Sequence, residues 1–137
     1  MTSIDVSGWD TSSVTDMNDV FWVCSGLTSP PDVSGWDTSL VTSMVEAFRG
    51  CSNMGSWPRV DLWNIESLTS ATSMFFTAVA DNARYQATLI AWEAQTEKTS
   101  VAFHAGGSKY ETGGASETAR NVLTGTSSWT ITDGGGV

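Results

Sequence analysis

Positive charge is scarce in this sequence. Six Lys and Arg stand against 15 Asp and Glu in 137 residues, a formal net charge of −9. The six (Arg49, Arg59, Arg84, Lys98, Lys109 and Arg120) are scattered along the chain. Nucleic-acid binding needs clustered cations that displace counterions, and anionic membrane surfaces select the same clusters. Neither partner is expected. There is no apolar run of the ~18 residues that a membrane-spanning helix needs, so no membrane insertion is expected. Met1-Thr2-Ser3 leads straight into repeated sequence, with no basic segment and no apolar stretch of a secretory signal. An Asn-X-Ser/Thr sequon is also missing. A protein exported by secretion should carry an export signal, so the expectation is either an excised fragment or a chain that reaches an external surface without secretion.

Catalytic groups are equally few. His104 is the one histidine, and it stands beside Gly106-Gly107 as a loop residue would. The sequence has no Gly-X-Ser-X-Gly elbow, no phosphate-binding glycine loop and no His-Glu-X-X-His pair. Cys24 and Cys51 are the two cysteines, with no Cys-X-X-Cys partner and no neighbouring histidine. Zinc and thiol chemistry are therefore not expected. No catalytic residue, cofactor or metal is assigned, and the chain is not expected to be an enzyme.

What the sequence has is a repeated phrase. Residues 5–28 read DVSGWDTSSVTDMNDVFWVCSGLT and residues 32–54 read DVSGWDTSLVTSMVEAFRGCSNM. Asp5 to Asp32, Trp9 to Trp36, Met17 to Met44, Phe21 to Phe48 and Cys24 to Cys51 are each 27 positions apart. A decayed third copy begins with Trp63, again at 27, and Ala71-Thr72-Ser73-Met74 then echoes Val41-Thr42-Ser43-Met44 at 30, which reads as a three-residue insertion. Repeats of this length cannot bury their apolar residues singly. Stacked, they superimpose them into ladders. The ladder residues are Trp9, Trp36 and Trp63, Met17 and Met44, Phe21 and Phe48, and Cys24 and Cys51. The apolar spacing at 14, 17, 21 and 24 suits a short helix or 3₁₀ segment.

The phrase V-T-X-M-X-X-X-F-X-X-C-S-X-L with D-V-S-G-W-D-T-S resembles the BspA-like leucine-rich-repeat surface proteins over about residues 4–78. The tail is similar to the segment that often closes such arrays: Leu89-Ile90-Ala91-Trp92, Val101-Ala102-Phe103, Gly107-Ser108-Lys109-Tyr110 and Trp129-Thr130-Ile131-Thr132. The resemblance implies a right-handed solenoid on a bacterial, protist or viral surface that binds rather than catalyses. The expected fold is α+β and β-rich: a short leucine-rich-repeat-like right-handed solenoid over residues 1–80, closed by an α/β cap over 81–137, all one domain. In the cap, Asp81-Asn82 starts a helix that runs to about Gln95, and Gly113-Gly114 opens a second that Gly125 ends. The Asp133–Val137 tail is expected to be loose.

Each candidate feature has two readings. Cys24 and Cys51 form a disulfide between neighbouring repeats or a buried thiol ladder. The tryptophan ladder stacks flat ligands or sugars or covers its neighbours. Asp5 with Asp32, and Asp10 with Asp37 and Asn64, hold calcium or cap turns. The plainer second reading is preferred each time. Trp22, Arg49 and Trp57 are the expected contact residues, since Trp22 sits where the next repeat has Arg49 and Trp57 lies outside the ladder. Ile4 and Val6 mark an N-terminal edge with nothing before it to act as a cap, which predicts cover by another chain or by another part of the same protein.

The expected function is a non-catalytic, surface-exposed binding or structural module. Its leading version is a virion component, a capsid decoration or fibre protein assembled through that edge. The alternative is a fragment of a bacterial cell-surface adhesin, and the remote one a glycan-active enzyme. Partners would be other protein chains, in a homo-oligomer or a virion or surface scaffold, with a host surface protein or glycan as ligand. The location would be a virion surface or the cell exterior.

Overall fold

The computed structural model describes residues 2–96 and 98–137. Backbone N–H groups of the first repeat donate to carbonyls of the second: Met17 to Ser43 at 2.9 Å, Asp19 to Val45 at 3.0 Å, Phe21 to Ala47 at 2.9 Å and Val23 to Arg49 at 2.7 Å. The second repeat does the same to the third, Met44 to Ser70, Glu46 to Thr72, Phe48 to Met74 and Gly50 to Phe76. The pairing keeps the 27-residue offset throughout. Leu68-Thr69-Ser70-Ala71, not Ala71–Met74, therefore occupies the third copy of the phrase, and the expected insertion is not there. With the register fixed, like rings lie over like. Trp9, Trp36 and Trp63 stack at 5.8 and 6.0 Å between centroids. Phe21, Phe48 and Phe75 stack at 5.3 and 5.2 Å.

The β-rich right-handed solenoid that the repeat suggests is not what the chain forms. Its sheet is small, open and parallel. Three strands, β1 (Ser70–Ala71), β2 (Ala102–His104) and β3 (Thr130–Thr132), lie in the order β1-β2-β3. Ser70 pairs with Ala102, and Ala102 with Thr130. Before β1 the described residues form single bridges only, Asp16 to Ser43 and Ser43 to Ser70. Two helices, α1 (Asn82–Glu93) and α2 (Ala115–Gly125), complete a modest mixed α/β domain. The physical reason lies in the backbone. Asp19, Val23, Glu46, Gly50, Ser73 and Thr77 all have positive φ, between 53° and 77°. Two left-handed residues per repeat end any extended run after one bridge, and they also break the helix expected over Val14 to Cys24. Turns stand there instead.

The helices form where local chemistry starts them. The Asp81 carboxylate accepts the Arg84 N–H at 3.0 Å and caps α1. Tyr85, Thr88, Leu89 and Trp92 form its buried face, and α2 packs beside it on Ser116, Ala119 and Leu123. The core runs on from the stacked rings into this part. Trp57 lies flat on Phe75 at 3.7 Å, and Trp92 meets Phe103 at 5.0 Å.

The final residues are not loose. Gly134 N–H donates to Ser108 at 2.8 Å, Tyr110 N–H to Gly135 at 3.2 Å, and Val137 N–H to Tyr110 at 3.0 Å. Glycine is needed here because the strands run so close. A Cβ on Gly134 would meet the Gly107 carbonyl, and one on Gly136 would meet the Thr112 methyl and the Tyr110 ring.

Candidate interaction surface

Each repeat accepts backbone N–H groups from the repeat before it. The first repeat has no such donor among the described residues. The carbonyls of Asp16, Asn18, Val20 and Trp22 hold the places that Ser43, Val45, Ala47 and Arg49 fill one repeat later; no backbone N–H of the described residues reaches them, and the Cys24 thiol alone approaches one, Trp22, at 3.8 Å. Beside this row, Ile4, Phe21, Cys24, Gly26 and Leu27 line an apolar hollow of about 240 Å³. Ile4 is half-buried at the surface of this face, whereas Val6, expected with it at the edge, is wholly buried beneath it.

The tryptophans mark the same end. The indole N–H groups of Trp36, Trp63, Trp92 and Trp129 donate to the carbonyls of Val6, Val33, Val60 and Lys98, at 3.1, 3.1, 3.0 and 2.7 Å. Every one of these acceptors lies about 30 residues earlier, in the layer before. The Trp9 indole has no hydrogen-bond partner among the described residues, and its ring is 52% exposed, against 6% for Trp36 and 0% for Trp63. A donor and a flat apolar ring are thus left open at the N-terminal face.

A second exposed feature runs along the stack. Trp22 is 54% exposed. One repeat on, the Arg49 guanidinium is 5.3 Å from the centre of the Phe76 ring and pairs with Glu46 at 2.6 Å. Phe76, 41% exposed, meets the edge of His104 at 5.3 Å. His104 Nδ1 accepts the Gly106 N–H at 3.0 Å, which leaves the ring proton on Nε2. Burial lowers the pKa of His104, which favours the neutral ring. A shallow hollow of about 210 Å³ adjoins it, lined by Thr72, Ser73, Thr130 and Thr132 among others. Trp22 and Arg49 thus share one stripe. Trp57 does not: it is 1% exposed, and its indole donates to the Val79 carbonyl at 2.9 Å. The assumed insertion hid Phe76 by masking its offset of 27 from Arg49, and His104, expected in a loop, instead ends β2.

The repeated acids cap turns. Asp5, Asp10, Asp32 and Asp37 each accept the backbone N–H and the hydroxyl of the serine two residues on, at 2.6 to 3.1 Å. Among the described residues, no three His, Cys, Asp or Glu side chains gather to hold a metal ion. Cys24 and Cys51 are free thiols. Burial, with Cys24 nearby, raises Cys51 to about 11, and its thiol donates to the Phe21 carbonyl at 3.1 Å. It is inert packing at neutral pH.

The caps carry a pH dependence. The serine hydroxyl first, and then the serine N–H, holds each of the four exposed carboxyls below its ordinary value. Their contribution is fully present above the unfolded value of about 3.9. It is lost as pH falls through the lower folded values. Changing all four aspartates to asparagine keeps an acceptor oxygen and removes the titration. Melting temperatures between neutral pH and pH 2 should fall less steeply for that variant. An unchanged acid profile would remove these caps from the account.

No helix among the described residues is long and apolar enough to cross a membrane. Residues 1–112 match the model of a protein family, described as a Mycoplasma protein of unknown function. No curated protein and no solved structure matches the chain.

Proposed function

Because the chain belongs to the DUF285 family, a family of repeat proteins that the BspA-like resemblance loosely fits, we propose that it is a non-catalytic, surface-displayed binding and structural module. It docks another polypeptide on its N-terminal face. One observation carries the reading: four carbonyls that no backbone N–H of the described residues reaches, an apolar hollow, and a Trp9 indole without a partner among those residues share that face. Water can satisfy exposed carbonyls, but a row of them beside an open apolar hollow is a template for the backbone of another segment. The Trp22–Arg49–Phe76–His104 stripe is the module's second contact surface, suited by its flat rings to a host protein or a glycan.

Of the settings left open by the sequence, the bacterial cell surface is favoured over a virion, since the family's description is of Mycoplasma proteins. A glycan-active enzyme is the weaker reading, because the repeated acids are held in turn caps rather than set as an acid–base pair.

The test is site-specific photo-cross-linking on the surface of bacteria that display the protein. A cross-linking amino acid at Trp9 should capture a polypeptide, either a copy of the chain or another protein. One at Leu40, equally exposed at 52% but in the second repeat, should not. Equal capture at both positions, or none at Trp9, would count against the N-terminal face.

A further inference from the structure

We infer that the polypeptide taken by the N-terminal face is a second copy of this chain, docked by the outer edge of its β3 strand. This rests on the assembly reading above and names its partner.

The argument is one of donors and acceptors. Inside the molecule, the layers pair in one sense. Asp16 lies opposite Ser43, Ser43 opposite Ser70, Ser70 opposite Ala102, and Ala102 opposite Thr130. At the far end the ladder turns Thr130 and Thr132 toward β2: Thr130 N–H donates to Val101, and Thr132 accepts from Ala105. In a parallel ladder alternate residues face opposite ways. Ile131 therefore aims its N–H outward, and the Trp129 carbonyl lies on the same edge. Thr130 and Thr132 are exposed, and Ile131 is half-buried. No charge or proline in β3 blunts the edge.

The next position in the series after Thr130 is Asp16 of another copy. There the Ile131 N–H meets the Asp16 carbonyl, and the Asp16 N–H meets the Trp129 carbonyl. This repeats the first step of the relation that joins one repeat to the next within the chain; further along the tail the Gly135 N–H is held by Asp133 and the Val137 N–H by Tyr110. Two N-terminal faces are poorer partners for each other, because beyond Asp16 each offers chiefly carbonyls: the Asn18 N–H is held by the Asp16 carboxylate and the Trp22 N–H by the Asp19 carbonyl. The contact is thus head-to-tail. Such a contact leaves both outer ends open and builds linear arrays.

Sedimentation equilibrium tests this with two variants. Ile4→Glu places a charge on the head face, and Ile131→Pro removes the outward N–H of the tail. Wild-type mass should climb with concentration without a plateau. Each variant alone should run as a monomer, and their equimolar mixture should reach twice the chain mass and stop. Circular dichroism checks that both fold. If Ile131→Pro does not, Thr132→Lys serves as the tail block. A wild-type protein that stays monomeric up to its solubility limit would overturn the inference. So would a dimer that survives the tail block, although a dimer lost only in Ile4→Glu would leave the N-terminal face as a docking site for something else.

Discussion

Trp63→Ala is expected to cost about 3–5 kcal/mol, the range for truncating a buried large aromatic. Trp9→Ala, the same position in the repeat, should cost only about 0.5–1.5 kcal/mol, the worth of one stacked pair. The sequence around the two residues does not predict the contrast. Trp63 is wholly buried, with Trp36 on one side at 6.0 Å and Phe48 at 6.1 Å. Its indole donates to the Val33 carbonyl at 3.1 Å. Truncation leaves a cavity and removes one of two donors to that carbonyl, which keeps the Trp36 N–H at 3.2 Å, so the cavity dominates the loss. A domain of this size has roughly 5–15 kcal/mol in total. The melting temperature of Trp63→Ala should therefore drop by roughly 10 °C or more. Trp9 has a neighbour on one face only. The comparison belongs at low protein concentration, where a docked second copy would not cover Trp9. Equal losses in the two variants would mean that the tryptophan column is not graded from open end to core.

The layering beneath this contrast is legible in the sequence in part only. The offset of 27 is visible in the sequence, and it correctly sets Trp9 over Trp36 and Phe21 over Phe48 because identical layers can stack only in register. Helix α1 was legible at its cap, where Asp81 precedes an apolar stripe, and α2 at its bounding glycines. The strand content of the repeats was not. It depends on the sign of φ at Asp19, Val23 and Glu46. Nothing marks a β-branched valine as left-handed, so turns were read as a β-rich solenoid. Register in the third copy failed for another reason. Thr-Ser-Met at 72–74 copies the letters of 42–44, but backbone pairing selects Thr69-Ser70-Ala71, where a smaller side chain fills the methionine place. That slip hid Phe76 from the exposed stripe. Trp57 was misjudged because its partner, Phe75, is known only once the third layer is placed. The acceptor row at the N-terminal face follows from the repeat register once the layers are paired. Its one-sided, acceptor-rich character came only from the direction of the hydrogen bonds.

The C-terminal tail gives the second large effect. Asp133→Ala should destabilise the fold by about 2–4 kcal/mol, because it removes the acceptor from a buried charge pair. The carboxylate side chain is 4% exposed. One oxygen accepts the Tyr85 hydroxyl at 2.5 Å and the Arg120 Nε at 2.7 Å, and the other accepts the Gly135 N–H at 3.0 Å. The Arg120 guanidinium also lies 5.0 Å from the centre of the Tyr110 ring. One side chain therefore ties α1, α2 and the tail together. Burial and the neighbouring carboxylate raise the Tyr85 pKa far above the working range, so the phenol stays a donor at any pH the fold survives. Tyr85→Phe removes one neutral donor and leaves the Arg120 pair intact, so it should cost only about 1 kcal/mol. Amide hydrogen exchange separates the two. Tyr110 and Thr112 donate to the tail carbonyls of Gly135 and Val137, so their protection should fall in Asp133→Ala and hold in Tyr85→Phe. Their continued protection in Asp133→Ala would show that the close glycine contacts at 134 and 136, and not the carboxylate, keep the tail in place.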